Sequence, residues 1–397
     1  MKQIKNDETV IVGGKLFTCP KGDTSTFGDN GRCGLASNGI HINPKNDGTI
    51  TSALISVTSG TATAKTPDAG STYFDLNSND GENYYRLIIC PSTTECTIIN
   101  HPEDGIYLDE STKDSNYNKF IKCKDGICTS ENVDVQSQKT DIYFNLGISS
   151  GLTNALLKCV NPSAASCTKI TPTNGDYYLE KDGGKLIKCT ATGCAFVEAS
   201  TTGAYIDSGS FSSPNYPNVI VCTSANECTS KAKTTSDVYI NAAKTSKTDA
   251  LLTSDDNTFK TLEGNAGYYV DFQNDKKSLI SCTDAGVCTA VPGNTDIGVG
   301  YISGSDAKKI ISYSGSAFAE AAGYNIADTY YIDGSDPANK KIIECKTGVD
   351  CTNKSYTVSS KYTFFDNTGD VIITCSSSKC VGSKGKSRLF SLFYIEM

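Results

Sequence analysis

The feature that most limits what this 397-residue chain can fold into is a short apolar run closing on a cysteine, repeated along its length. It reads Leu16-Phe17-Thr18-Cys19, Leu87-Ile88-Ile89-Cys90, Phe120-Ile121-Lys122-Cys123, Leu156-Leu157-Lys158-Cys159 and Leu186-Ile187-Lys188-Cys189. It continues as Val219-Ile220-Val221-Cys222, Leu279-Ile280-Ser281-Cys282, Ile342-Ile343-Glu344-Cys345 and Ile372-Ile373-Thr374-Cys375. The three widest gaps each hold a copy without cysteine: Leu54-Ile55-Ser56-Val57, Leu251-Leu252-Thr253-Ser254 and Ile310-Ile311-Ser312-Tyr313. The period is then about 32 residues over about a dozen copies, inside the range of solenoids and arrays.

A second ladder keeps the same period. Tyrosine, an apolar residue and an acid or amide recur as Tyr73 with Asp75, Tyr107 with Asp109, Tyr143 with Asn145 and Tyr178 with Glu180. Further along stand Tyr205 with Asp207, Tyr239 with Asn241, Tyr269 with Asp271 and Tyr331 with Asp333. His41, Tyr301 and Phe364 are looser members. Residues 176–197 show one copy at its plainest: a short aromatic run, the turn Lys181-Asp182-Gly183-Gly184, then Leu186 to Cys189 and Cys194 to Val197. Short β-rich runs between Gly-, Asn- and Asp-rich turns predict an all-β fold. The expectation is a tandem array of about twelve cysteine-stapled β-repeats, a β-solenoid of short strands and hairpins, with no separate catalytic domain. Stacking as one solenoid or as semi-independent three-stranded beads would both satisfy the sequence.

Eighteen cysteines need a partner or a metal. Zinc fails on ligand supply: only two histidines are present, no Cys-x-x-Cys occurs, and the gap within most cysteine pairs drifts from four to seven residues. An oxidising compartment with disulfides is the better reading. Cys189 and Cys194 would face each other across a hairpin, and the same pairing fits Cys90 with Cys96, Cys123 with Cys128, and Cys159 with Cys167. It also fits Cys222 with Cys228, Cys282 with Cys288, Cys345 with Cys351, and Cys375 with Cys380. Cys19 and Cys33 are paired because neither has another partner nearby. In one cysteine-free copy Tyr313 and Phe318 hold the two cysteine places, which an aromatic cross-strand pair can fill and a redox or metal pair could not.

The start of the chain has no apolar secretory core, while Val10-Ile11-Val12 and the C-terminal Phe393-Tyr394-Ile395-Glu396 fall in phase with first strands. Both ends therefore read as cut within a repeat of a longer secreted array. A net charge of −8 argues against a nucleic-acid partner, and no apolar run is long enough to span a membrane.

Little in the sequence is unique enough for catalysis. His41 stands in the tyrosine column and His101 in a loop; neither accompanies a nucleophile, phosphate-loop or dinucleotide motif. Paired acids such as Glu103-Asp104 and Asp255-Asp256 sit in turns, where Asp is favoured for backbone reasons. No catalytic, cofactor or metal residue is expected. On a strand the tyrosine and the residue two beyond it share a face, so the ladder makes a row that either covers the neighbouring repeat or presents a periodic docking face. The second reading makes the ladder the candidate partner-binding surface.

The repeat resembles the scaffoldins of anaerobic gut fungi. The likeness is plainest from Gly175-Asp176-Tyr177-Tyr178 through Cys194 and from Gly267-Tyr268-Tyr269 through Cys288-Thr289, and it extends over nearly the whole chain. The resemblance implies a secreted, non-catalytic, cohesin-like scaffold whose repeats dock the dockerin modules of plant-cell-wall enzymes into cellulosomes. The missing signal sequence and the cysteine-free copies depart from it. A glycan-binding cell-wall adhesin and a β-helix carbohydrate enzyme are the alternatives.

Overall fold

The structure is a computed structural model that describes residues 9–18, 34–44, 52–76, 79–80, 83–112, 119–133, 140–146, 151–153, 155–160, 166–181, 184–210, 215–234, 236–255, 258–323, 328–355, 362–365 and 370–385. Cys19, Cys33 and the C-terminal aromatic run lie outside them. The chain divides into two units, residues 1–197 and 198–397. The fold is all-β, an array of repeated antiparallel three-stranded sheets with the Leu-Ile-x-Cys strand in the middle.

In the first unit the opening strands of the repeats are Thr9–Val12, Gly39–Ile42, Ser71–Phe74, Gly105–Leu108, Thr140–Phe144 and Tyr177–Leu179. In the second they are Ala204–Ile206, Val238–Ile240, Gly267–Val270, Val299–Ile302, Thr329–Asp333 and Tyr362–Phe365. Register is the same throughout. Tyr178 faces Ile187, Tyr269 faces Ile280 and Tyr331 faces Ile343. Across the hairpin Cys123 faces Cys128, Cys189 faces Cys194 and Cys282 faces Cys288, with Cα atoms about 4 Å apart. All eight expected pairs within the described residues are bonded. These bonds mark a protein of an oxidising environment. No helix among the described residues is long and apolar enough to cross a membrane.

The middle strand is buried on both faces. Leu186, Ile187 and Cys189 are each 0 % exposed, although Leu186 and Ile187 point to opposite sides. One sheet of about 32 residues cannot cover both of its own faces, so each repeat uses its neighbours. The packing is head to tail. Ile142 and Leu156 of one repeat pack on Tyr178, Ile187 and Cys189 of the next. Ile240 and Leu251 pack likewise on Tyr269, Ile280 and the Cys282–Cys288 bridge, and Ile310 packs on Tyr331, Ile343 and the Cys345–Cys351 bridge. The cystine is thus core material as well as a staple.

The cysteine-free repeats fill the same place with side chains. Val57 faces Ala62, Ser254 faces Phe259 and Tyr313 faces Phe318 in the cysteine register. The Phe259 and Phe318 rings stand 5.8 and 6.4 Å from the ladder tyrosines Tyr239 and Tyr301 of their own repeats. Closing a hairpin ring of this size contributes about 2 kcal/mol in the chain-entropy model. Each fully buried Leu or Ile contributes about 1.5–3 kcal/mol, and every seam has several. Burial outweighs the staple, which is why a bridge is replaceable.

The ladder corrects the docking expectation. Tyr73, Asp75, Tyr107, Asp109, Tyr143, Asn145, Tyr178, Tyr205, Asp207, Tyr239, Asn241, Tyr269, Asp271, Tyr331 and Asp333 are all buried; Glu180 is half-buried. They form the seam. In five repeats the residue two past the tyrosine makes a parallel bridge to the residue before the tyrosine of the preceding repeat: Asp109 to Thr72, Glu180 to Ile142, Asn241 to Ala204, Ser303 to Tyr268 and Asp333 to Gly300. The next amide closes it. Lys181, Ala242, Phe272, Gly304 and Gly334 donate to the carbonyls of Ile142, Ala204, Val238, Tyr268 and Gly300 at 2.8–3.3 Å. Side-chain oxygens of Asp109, Asp207, Asn241, Asp271, Ser303 and Asp333 then accept the N–H two residues on, at 2.9–3.1 Å, holding the turn that leaves the strand. The tyrosine hydroxyls anchor the entering loop: Tyr107 donates to the Glu103 carbonyl and Tyr269 to that of Asn265, both at 3.2 Å. The acids and phenols of the ladder are interior because they join repeats.

Glycine fits where repeats touch most closely. Gly203 and Gly267, two before the tyrosine, have φ of +117° and +138°. A Cβ there would lie 2.6 Å from the Ile240 carbonyl oxygen and 2.7 Å from the Gly304 Cα of the following repeat.

Two predictions follow from this packing. Replacing Cys282 and Cys288 together by alanine should destabilise less than Leu279→Ala, for which about 2–5 kcal/mol is expected. Hydrogen exchange resolved by repeat should show both losses confined to the altered repeat and its neighbours. Alkali is the second test. Burial pushes Tyr73 and Tyr107 up to about 12, and raises Tyr239, Tyr269 and Tyr301 as well. The fold favours the neutral phenol, so its contribution is whole below the ordinary tyrosine value near 10 and is lost as pH rises through about 12. Tyrosinate absorbance should therefore rise in two waves, exposed rings first and the ladder together with loss of β-structure.

Candidate functional site

With the ladder inside, the surface left for partners is made by the third strands and the spaces beside them. Their residues are largely exposed: Thr352–Ser355 throughout, and Phe318–Ala322 beyond Phe318. The start of the strand is tied down. The N–H at the second cysteine place donates to a loop carbonyl of the preceding repeat in Ala62 to Gly14, Phe259 to Tyr216, Phe318 to Lys276, Cys351 to Ala307 and Cys380 to Asn339, at 2.8–2.9 Å. Beyond that bond the strand forms an outer edge of its sheet.

Contacts also reach the second repeat along. Gly203 N–H donates to Gln273 Oε1 at 2.6 Å, and Gln273 Nε2 donates to the Thr201 carbonyl at 2.7 Å. Gly382 lies directly against the Ile297 carbonyl. This second-neighbour arrangement opens grooves at equivalent places. In the first unit a groove of about 390 Å³ runs between Gly105 and Ile106 on one side and Glu180, Lys185 and Phe196 on the other, over Phe144 and Leu146 of the repeat between. In the second unit, grooves of about 620, 550 and 350 Å³ are walled by Ala290, Glu320 and Gly382 respectively.

The same structural position contributes to all four grooves: the residue two past the second cysteine place. That position repeats in space but not in chemistry. It reads Ala64, Ile98, Ser130, Lys169, Phe196, Ser230, Thr261, Ala290, Glu320, Asn353 and Gly382, whereas the paired middle-strand residues are all Leu or Ile. A constant framework with a changing wall is the arrangement of a repeat protein that presents related but non-identical surfaces.

The groove environments differ accordingly. Glu320 accepts from the hydroxyls of Ser303 and Ser305 and pairs with Lys309 at 3.1 Å; although burial opposes it, these donors hold its carboxyl below the usual range. Phe196 meets Phe144 edge-on at 4.6 Å and carries the Lys185 ammonium 5.1 Å over its ring. Among the described residues no cluster of three or more His, Cys, Asp or Glu is placed to hold a metal. His41 is a buried strand residue facing Ile55, its Nε2 2.8 Å from the Ser37 carbonyl.

Of the candidate ladder, Glu180 reaches groove space while half-exposed, and Tyr143, Tyr269 and Asp271 reach it from buried positions. The wall position is absent from the candidate ladder, and its signal in the sequence is a variable column beside a uniformly apolar one. Gly382 tests how strictly this column is framed. A Cβ there would sit 1.8 Å from the Ile297 oxygen, so Gly382→Ala should force that seam apart. Hydrogen exchange should accelerate around residues 371–384, whereas Phe196→Ala, at an exposed wall, should leave exchange in residues 186–197 within about twofold. No family model matches the chain, and a search of curated proteins finds no match.

Proposed function

We propose that the chain is a non-catalytic extracellular scaffold whose repeats dock dockerin-bearing plant-cell-wall-degrading enzymes into a multi-enzyme complex. The observation that carries this reading is the recurrence of one groove, with a constant frame and a variable wall, in both units. A single catalytic centre gains nothing from such recurrence. A scaffold does: sites on one chain raise one another's effective concentration and hold several partners on one polymeric substrate. The seam that joins repeats is built from backbone bonds and buried side chains, so the wall residue can change without altering the framework. The disulfides fit a secreted setting.

The test uses the full chain, immobilised, with a purified cellulase and a purified xylanase, each with and without its dockerin. Retention should depend on the dockerin and should exceed one enzyme per chain. A ladder variant outside the grooves such as Tyr107→Phe, which loses the bond to the Glu103 carbonyl, should lower stability by about 1 kcal/mol while leaving capture intact. Failure to retain either enzyme would remove the scaffold reading. Direct binding to cellulose, chitin or xylan without a protein partner would favour an adhesin, and turnover of these polymers a β-helix enzyme.

A further inference from the structure

The first-unit groove differs from the other three in carrying an aromatic ring at the wall position and three lysines in its lining. Phe196 is 47 % exposed, an unusual state for a ring beside a well-packed seam. With Phe144, Leu146 and Ile106 it makes an apolar trough, and Lys122, Lys124 and Lys185 stand around it. Two carboxylates share the lining. Asp104 accepts the Asp125 N–H at 2.8 Å, and Glu180, just past the strand Tyr177–Leu179, makes the backbone bridge to Ile142. Lys122 is 3.6 Å from Glu131, with both side chains about half exposed, a pairing worth less than about 1 kcal/mol and easily given up. In a chain with a net charge of −8, the groove lining sets three lysines against two carboxylates, a balance of +1 beside an apolar floor.

The backbone adds a direction. Cys189 and Cys194 form the close type of antiparallel pair, in which N–H and C=O groups point away from the partner strand. Ile187 and Phe196, two residues along, share that parity. The N–H and C=O of Phe196 therefore face the outer edge of the sheet, where an extended segment can pair with them.

We propose that this groove binds an extended acidic peptide segment, seating one apolar side chain between Phe144, Leu146 and Phe196 and its carboxylates against Lys122, Lys124 and Lys185. A neutral glycan could stack on Phe196 but would leave the lysine rim unanswered. This deepens the docking reading and rests on it only in taking the partner to be a protein.

The probe is a fluorescein-labelled dodecapeptide alternating Leu with Asp and Glu, compared with its counterpart carrying Lys in place of each acid, and with cellohexaose as competitor. Fluorescence anisotropy with the full chain should show saturable binding of the acidic peptide alone, weakened by raised salt. Phe196→Ala should cut affinity at least about tenfold and Phe196→Tyr should keep most of it. The double variant Lys124→Glu with Lys185→Glu should prefer the basic peptide. Equal binding of both peptides, no effect of Phe196→Ala, or displacement by cellohexaose but not by unlabelled acidic peptide would overturn the proposal. Enzyme capture separates the two readings. If the unaltered chain retains the enzymes but ignores the acidic peptide, the groove assignment falls and the scaffold stands. If the peptide binds as described but no enzyme is retained, the scaffold falls and the groove stands.

Discussion

A middle strand buried on both faces is the constraint from which the rest of the molecule follows. Leu and Ile, adjacent in sequence, point in opposite directions, and both are almost wholly excluded from water in repeat after repeat. A three-stranded sheet can satisfy that only between two neighbours. The tyrosine covers the preceding repeat, the apolar residue after it meets the following one, and the acid or amide two places on turns the chain while its backbone bridges the seam. Glycine two places before the tyrosine admits the neighbour's backbone. Disulfides add about 2 kcal/mol each to an interface already held by several buried aliphatic side chains. Phe259 and Phe318 stand in for them without changing the register.

Much of this was legible. The period, the three-strand unit and the hairpin pairing of the cysteines all follow from spacing, and Tyr313 facing Phe318 was readable as a substitute for a bridge. The direction of the ladder was not. Alternation shows that Tyr269 and Asp271 share a face, but it cannot say which face meets solvent when the sheet buries both. The structure gives the buried Asp271 carboxylate the Gln273 N–H and the Ser278 hydroxyl, partners that a tripeptide pattern does not reveal. Contacts such as Gln273 with Gly203 span two repeats, a relation set by how the sheets stack and absent from any local pattern. Two clues were in the sequence all the same. Gly39, Gly105, Gly203 and Gly267 stand at one offset before the ladder residue, and the column two past the second cysteine place changes freely.

The division between constant seam and variable wall bears on what the array can do. A change at Leu279 or Tyr269 is felt by the neighbouring repeats, whereas a change at Phe196 or Ala290 alters one groove. Recognition placed on the walls can diversify repeat by repeat while the framework stays fixed. That is the physical basis for reading the chain as a carrier of several partners.

All of this depends on the ladder tyrosines lying inside the seams. Nitration of the native chain with tetranitromethane, followed by peptide mapping, tests it most directly. Tyr85, which is 39 % exposed, should be modified, while Tyr73, Tyr107, Tyr178, Tyr239 and Tyr269 should react only after unfolding. Nitration of those five rings at the rate of Tyr85 in the folded protein would contradict the account and return the ladder to the surface.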